Sequence, residues 1–133
     1  ELKLLDNALE KILTLTTDAF EFDDARTASQ VEPLEQVIDI LVERLRAQHI
    51  KRLKDGACSI DTGVVYLDVL NNVERISDHC SNIAARLVGM EAGEDYDSHT
   101  LKNMMHHNPT KEYMLNYEQC RKDYLIPLEQ LEA

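Results

Sequence analysis

The sequence predicts an all-α protein: an antiparallel three-helix bundle with a C-terminal helical tail. Three observations predict it. Glycine and proline are scarce, at four and three in 133 residues. Apolar residues recur at three- and four-residue spacing, and no alternating run rich in Val, Ile and Thr stands out as a strand. Turn chemistry falls around residues 22–24, 54–59 and 89–97, which cuts the chain into three long segments and a tail. The length suffices to bury a core without staples. Residues 1–90 are expected to form the bundle, and 91–133 a linker and helical tail.

The first helix is expected from about Leu2 to Phe22, with Leu2, Leu5, Leu9, Ile12, Thr16 and Ala19 on one side. Asp23 and Asp24 supply turn and N-cap chemistry. The second runs from about Ala25 to Lys54, with an apolar seam of Val31, Leu34, Ile38, Leu41 and Leu45. Pro33 either kinks it or marks its true start, with Ser29 and Glu32 as a capping box. Lys54-Asp55-Gly56 ends it with basic residues and a glycine just past the C-cap.

The third helix spans about Ile60 to Met90. Its seam is predicted at Tyr66, Val69, Val73, Ile76, Cys80, Ile83 and Leu87. Gly89 and Gly93 with Glu91, Glu94, Asp95 and Asp97 then read as a solvated linker. Ser98 can cap a short helix to about His106, and Asn108-Pro109 can start another. There Tyr113, Tyr117, Cys120 and Tyr124 form a narrow aromatic seam before Pro127. This tail is expected on the outside of the bundle or on a neighbour.

Twenty-five acids against fourteen bases give a net charge of −11. That charge argues against nucleic acid or an anionic membrane surface as partner. The three cysteines, Cys58, Cys80 and Cys120, are odd in number and form no C-x-x-C pair, as in a reduced cytosolic protein. No uncharged apolar run approaches the roughly 18–20 residues of a membrane span, and no signal peptide is visible. The chain begins at Glu1 in mid-pattern, so it is expected to be cut from something longer.

Against this background two E-x-x-x-D pairs draw notice: Glu35/Asp39 on the second helix and Glu74/Asp78 on the third. Residues at i and i+4 share a helix face, and both pairs flank an apolar seam. Asp39 lies sixteen positions before Asp55 and Asp78 seventeen after Asp61. That is roughly 25 Å from the turn on either helix, so four carboxylates are expected near one level. Desolvated acids repel one another, and a bound cation relieves the repulsion. Other acidic pairs at this spacing, Asp6/Glu10, Asp39/Glu43 and Glu91/Asp95, are read as solvated surface. Carboxylate oxygens suit calcium, magnesium, manganese or hydrated iron better than zinc.

The histidines add little to this site. None stands three residues after a glutamate, which disfavours the ferritin-like di-iron pattern. His79 follows Asp78 about 100° round the helix and points elsewhere. His49 reads as a surface or packing histidine, Cys80 as core, and His106-His107 as a solvated helix end. No nucleophile or general base is arranged for catalysis.

Val73-Glu74-Arg75-Ile76-Ser77-Asp78-His79, with Asn82-Ile83-Ala84 following, resembles the E-R-I-x-D-H-x-x-N-I-A stretch of PhoU-like domains. Glu35 to Asp39 is similar to that family's earlier E/D-x-x-x-D. His49-Ile50-Lys51-Arg52-Leu53, Gly56-Ala57-Cys58-Ser59 and Tyr66-Leu67-Asp68 resemble the PhoU-like domain at the cytoplasmic C-terminus of bacterial sodium/phosphate cotransporters. Ser77 stands where the regulators often have glycine.

The resemblance covers about Leu2 to Leu87 well and Ser98 to Ala133 loosely. It implies a fold built of paired three-helix bundles, of which one is present here. The other half would lie upstream or in a second copy, so a homodimer burying the Glu35/Glu74 face is expected. It also implies metal on Glu35, Asp39, Glu74 and Asp78: a divalent or trivalent ion, single or multinuclear, with iron, manganese and zinc as candidates.

The implied function is regulation of phosphate uptake, non-enzymatic, at the cytoplasmic face of the inner membrane. The partner is the transporter domain of the same longer chain, with no span in this fragment. The alternative is a helical protein–protein interaction module without metal. A metal-dependent hydrolase, the third possibility, would need a base that the sequence does not offer.

Overall fold

The computed structural model describes residues 1–93, 100, 103–104 and 109–132. Among these the regular structure is entirely helical: α1 (Leu2–Glu21), α2 (Ala25–Ala28), α3 (Val31–Lys54), α4 (Ile60–Glu91), α5 (Lys111–Cys120) and α6 (Ile126–Glu132), with a π-helical turn (Arg121–Leu125) joining the last two. The acidic linker beyond Gly93 and the short helix expected from Ser98 to His106 fall mostly outside the described residues.

Capping chemistry places the helix ends. Asp23 takes a positive φ of 50° to turn the chain after α1. Asp24 then caps α2, accepting from the Arg26 and Thr27 amides at 3.1 and 3.3 Å and from the Thr27 hydroxyl at 2.7 Å. The chain breaks at Ser29 and Gln30, and α3 begins at Val31, so Pro33 lies in a first turn where its missing N–H costs nothing. The capping box does not form. The Ser29 hydroxyl donates back to the Arg26 carbonyl at 2.6 Å, while Glu32 turns to α4. At the other end Gly56, at φ 71°, closes α3. Its amide reaches the Leu53 carbonyl (3.2 Å) and that of Ala57 the Arg52 carbonyl (2.9 Å), the Schellman pattern. Ser59 caps α4 through the Thr62 amide at 3.2 Å.

α3 is the central element, packed on α1, α4 and α5. α1 and α4 run antiparallel to α3, as the paired residues show. His49 Nε2 meets the Gly63 carbonyl at 3.1 Å, Arg46 meets Glu74 at 3.0 Å and Ser81 meets Glu32 at 2.5 Å, so numbers fall on α3 as they rise on α4. An Arg52–Glu1 ion pair at 3.4 Å ties the end of α3 to the start of α1. His49 is the packing histidine of the two expected roles: it is buried and stacks on Tyr66 at 4.2 Å.

The α3 seam is buried as expected, and α1 buries Leu5, Ala8, Ile12, Thr16 and Ala19, leaving Leu2 half exposed. The α4 seam is buried as expected at Val73 and Cys80, with Tyr66, Ile76 and Leu87 packed against the core at partial burial, and it departs from expectation at Val69 and Ile83. Val69 and Ile83 are 44 % and 42 % exposed, and the buried positions are Gly63, Leu70, Val73, Ser77, Cys80, Ser81, Ala84, Ala85 and Gly89. Beside Val73 and Cys80 the fully buried line runs through Ser77 and Ala84, while Ile76 is only partly buried and Ile83 is exposed. Close approach to α3 selects the small side chains, because a bulky residue there would hold the helices apart.

The tail docks on the outside of the bundle. Its helix starts at Lys111, capped by Thr110 Oγ1 on the Tyr113 amide at 3.0 Å, two residues later than Asn108-Pro109 would give. It also continues past Pro127. The π turn just before adds a residue, widening the helix where the proline ring would otherwise meet the carbonyl four residues back. It also rotates the helix so that Leu125 and Leu128 enter the core beside the half-buried Tyr117, Cys120 and Tyr124. Arg44 and Glu129 pair at 3.0 Å on the rim.

Candidate metal centre

The first turns of α3 carry acids into the interior. Val31 to Glu35 are all buried, Glu32 at 5 % and Glu35 at 3 % exposed, because α3 is covered there on several sides. A buried carboxylate is costly unless hydrogen-bonded or neutralised. Glu32 accepts the Ser81 hydroxyl of α4 at 2.5 Å. Further along, Glu35 and the half-buried Asp39 face the exposed Asp78, and one ligand atom from each lies within 4.8 Å of the others. They border a partly open cleft of about 420 Å³, whose walls also include Glu32, Gln36 and Tyr117. The cleft exceeds a bare ion and has room for ion-bound water or a second ion.

Glu74, the fourth expected ligand, is elsewhere. Its carboxylate pairs with Arg46 at 3.0 Å, and that guanidinium also holds Glu43 at 2.6 Å and Asn71 at 2.9 Å. The geometry of an antiparallel pair explains the separation. With Asp39 opposite Asp78, four residues back on α3 and four back on α4 lead in opposite directions. Glu35 and Glu74 therefore diverge by roughly 12 Å along the bundle. Four carboxylates at one level is a correct expectation for three of them only.

Of the described histidines, His49 is buried against Tyr66 and His79 is exposed one residue round the helix from Asp78; His99, His106 and His107 lie outside the described residues. Cys80 is core, 4 % exposed.

Several cleft residues are not legible as such in the sequence. Glu32 and Ser81 are each three residues from an expected ligand, on the same faces, and that spacing is the signal available. Tyr113 and Tyr117 read as a tail seam, yet Tyr117 walls the cleft and the Tyr113 hydroxyl donates to Gln36 Oε1. Burial, and then the charges of Glu32 and Glu35, push the Tyr113 phenol far above its ordinary range, so it remains a donor.

Three carboxylates on two helices, partly withdrawn from water, form a hard-oxygen donor set. They suit magnesium, calcium, manganese or iron, and they would pin α3 to α4 when a cation is held.

The PhoU domain profile matches residues 2–87. The chain is 25 % identical over 95 residues to the phosphate-specific transport system accessory protein PhoU homolog 1 of Thermotoga maritima, covering 71 % of this chain and 41 % of that protein. It is 34 % identical over 79 residues to the phosphate-specific transport system accessory protein PhoU homolog of Streptococcus pneumoniae, covering 59 % and 37 %. The chain thus spans about two fifths of the length of these relatives. No solved structure matches it significantly. All three carboxylates lie within the matched span, and the chain belongs to the PhoU domain family.

Proposed function

We propose that this chain is a cation-binding regulatory module of phosphate transport, acting by protein contacts and not by catalysis. The observation that carries the proposal is the cluster of Glu35, Asp39 and Asp78 in a cleft between α3 and α4. Family membership and the printed function of the relatives point to phosphate transport. The finer reading is a cytoplasmic domain attached to a sodium/phosphate cotransporter at the inner membrane. It is supported by the sequence resemblance, and among the described residues no helix is long and apolar enough to cross a membrane. Iron, manganese and zinc are the candidate metals, with the all-oxygen donor set favouring the first two.

The test is metal analysis of the purified protein with a melting series in chelator, then in iron, manganese or zinc. A ligand that binds the folded state alone stabilises it by roughly 2.7 kcal/mol when free at a hundred times its dissociation constant. Wild type should show such a gain and Asp78→Asn should lose most of it. Equal responses in the two proteins would refute the site.

A second reading, an interaction module, draws on the outer face of α4. Val65, Val69, Ile83 and Met90 stand exposed there, Met90 at 71 %. A second copy of the chain covering this face is the form of homodimer we propose. The expected dimer on the Glu35/Glu74 face is less apt, since α5 already packs on α3 beside the cleft.

A further inference from the structure

The C-terminal helix lies beyond the span that defines the family, yet it forms part of the carboxylate cleft. Tyr117 lines the cleft directly. One turn earlier, Tyr113 is buried, and its hydroxyl bonds to Gln36, the residue that follows Glu35 and itself lines the cleft. The rest of the helix is held independently of the acids, by Leu125 and Leu128 in the core and by the Arg44–Glu129 pair.

We propose that docking of this helix and occupancy of the cleft by a cation are coupled, each strengthening the other. This rests on the cation site proposed above. The physical cause is solvation. Docked, the two phenol rings displace water from beside Glu32 and Glu35, which lowers the effective dielectric around the carboxylates.

Without a cation, that displacement is opposed by the charges of Glu32, Glu35, Asp39 and Asp78, which are better solvated in an open cleft. With a cation the sign reverses, because the same low dielectric now deepens the attraction between ion and acids. The electrostatic effect on Tyr113 agrees: burial and then the charges of Glu32 and Glu35 hold its phenol protonated. Coupling between two binding events is reciprocal, so whatever the cation adds to helix docking, docking adds to cation affinity. The cleft would thereby report its occupancy on the outer surface of the bundle, through an element outside the residues that the family profile matches.

Hydrogen exchange of residues 111–132, measured with chelator and with saturating manganese, tests this on the wild-type chain. Protection of these amides should rise about tenfold with manganese, within the usual range of coupling between sites. The reciprocal arm uses Leu128→Asp, which removes the buried anchor of the helix. With circular dichroism confirming that α1, α3 and α4 persist, its manganese affinity should fall by about the same factor. Tail protection that is unchanged while manganese binds, with binding lost in Asp78→Asn, overturns the coupling and leaves the cation site standing. Failure of wild type to bind manganese, iron or zinc overturns the cation site and the coupling with it. The exchange arm decides the matter even if Leu128→Asp does not fold.

Discussion

Because Arg46 holds Glu74 at 3.0 Å while Asp78 faces Glu35 and Asp39, two acids one turn apart on α4 should respond differently to substitution. Glu74→Gln removes a partly exposed ion pair and should cost at most about 1 kcal/mol, with the metal response intact. Asp78→Asn should leave the metal-free protein as stable or slightly more stable, since repulsion falls. If it weakens the site a hundredfold, only about 0.4 kcal/mol of metal-dependent gain remains at the same free metal. Melting curves of both variants, with chelator and with manganese, check the two signs together. A destabilised metal-free Asp78→Asn would point to a salt-bridging or capping role instead.

Ser81 offers a separate test at the same scale. Its hydroxyl donates to the buried Glu32 carboxylate at 2.5 Å. Ser81→Ala should cost about 1–2 kcal/mol in denaturant titration, because a charge-assisted bond in the interior is lost and its acceptor stays behind. An unchanged unfolding midpoint would mean that Glu32 is satisfied without it.

Among the elements, the C-terminal helix has the clearest dependence on pH. Burial raises the Tyr113 and Tyr124 phenols, and burial and then Asp123 push the Cys120 thiol up to about 11 from 9.0. Each group keeps its proton more firmly in the docked helix than in the unfolded chain. Its contribution is therefore complete below the unfolded value and is lost as pH rises toward the folded one. Stability should decline from about pH 9 upward, with the helix the first element to loosen. Tyr113→Phe/Tyr124→Phe cannot ionise at two of the three positions. Its melting temperature should fall less than that of wild type between about pH 8 and about pH 10.5. Equal falls would place the alkaline transition elsewhere, for instance at Tyr66, which burial also raises.

For the molecule as a whole, the consequence of packing is a second apolar stripe facing outward. Val69, Ile83 and Met90 stand fourteen and seven residues apart on one exposed side of α4. If a second copy covers this stripe, sedimentation at high concentration should show a dimer, and Val69→Lys/Ile83→Lys should be monomeric. Because both residues are exposed, the folded monomer should lose no more than about 0.5 kcal/mol per substitution. A wild-type protein that stays monomeric would remove the stripe from consideration.

Sequence by itself determined the helical class, the long helices and most of their ends, because periodicity, capping residues and the Gly56 C-terminus act within a few residues of one another. It also marked Glu35, Asp39 and Asp78, whose spacing sets them on the facing sides of two helices. Only the tertiary structure decided that the α4 seam, buried at Val73 and Cys80 as its spacing implies, is completed by Ser77 and Ala84 and leaves Val69 and Ile83 outside. The small Ser77 and Ala84 are less hydrophobic than Val69 and Ile83, and they are buried because two helices can approach closely only over small side chains. Tertiary structure also sent Glu74 to Arg46, since antiparallel helices share one level and diverge from it. And it brought Tyr117 into the cleft and Tyr113 onto Gln36, more than seventy residues along the chain from the α3 residues they meet, through contacts that no local pattern encodes.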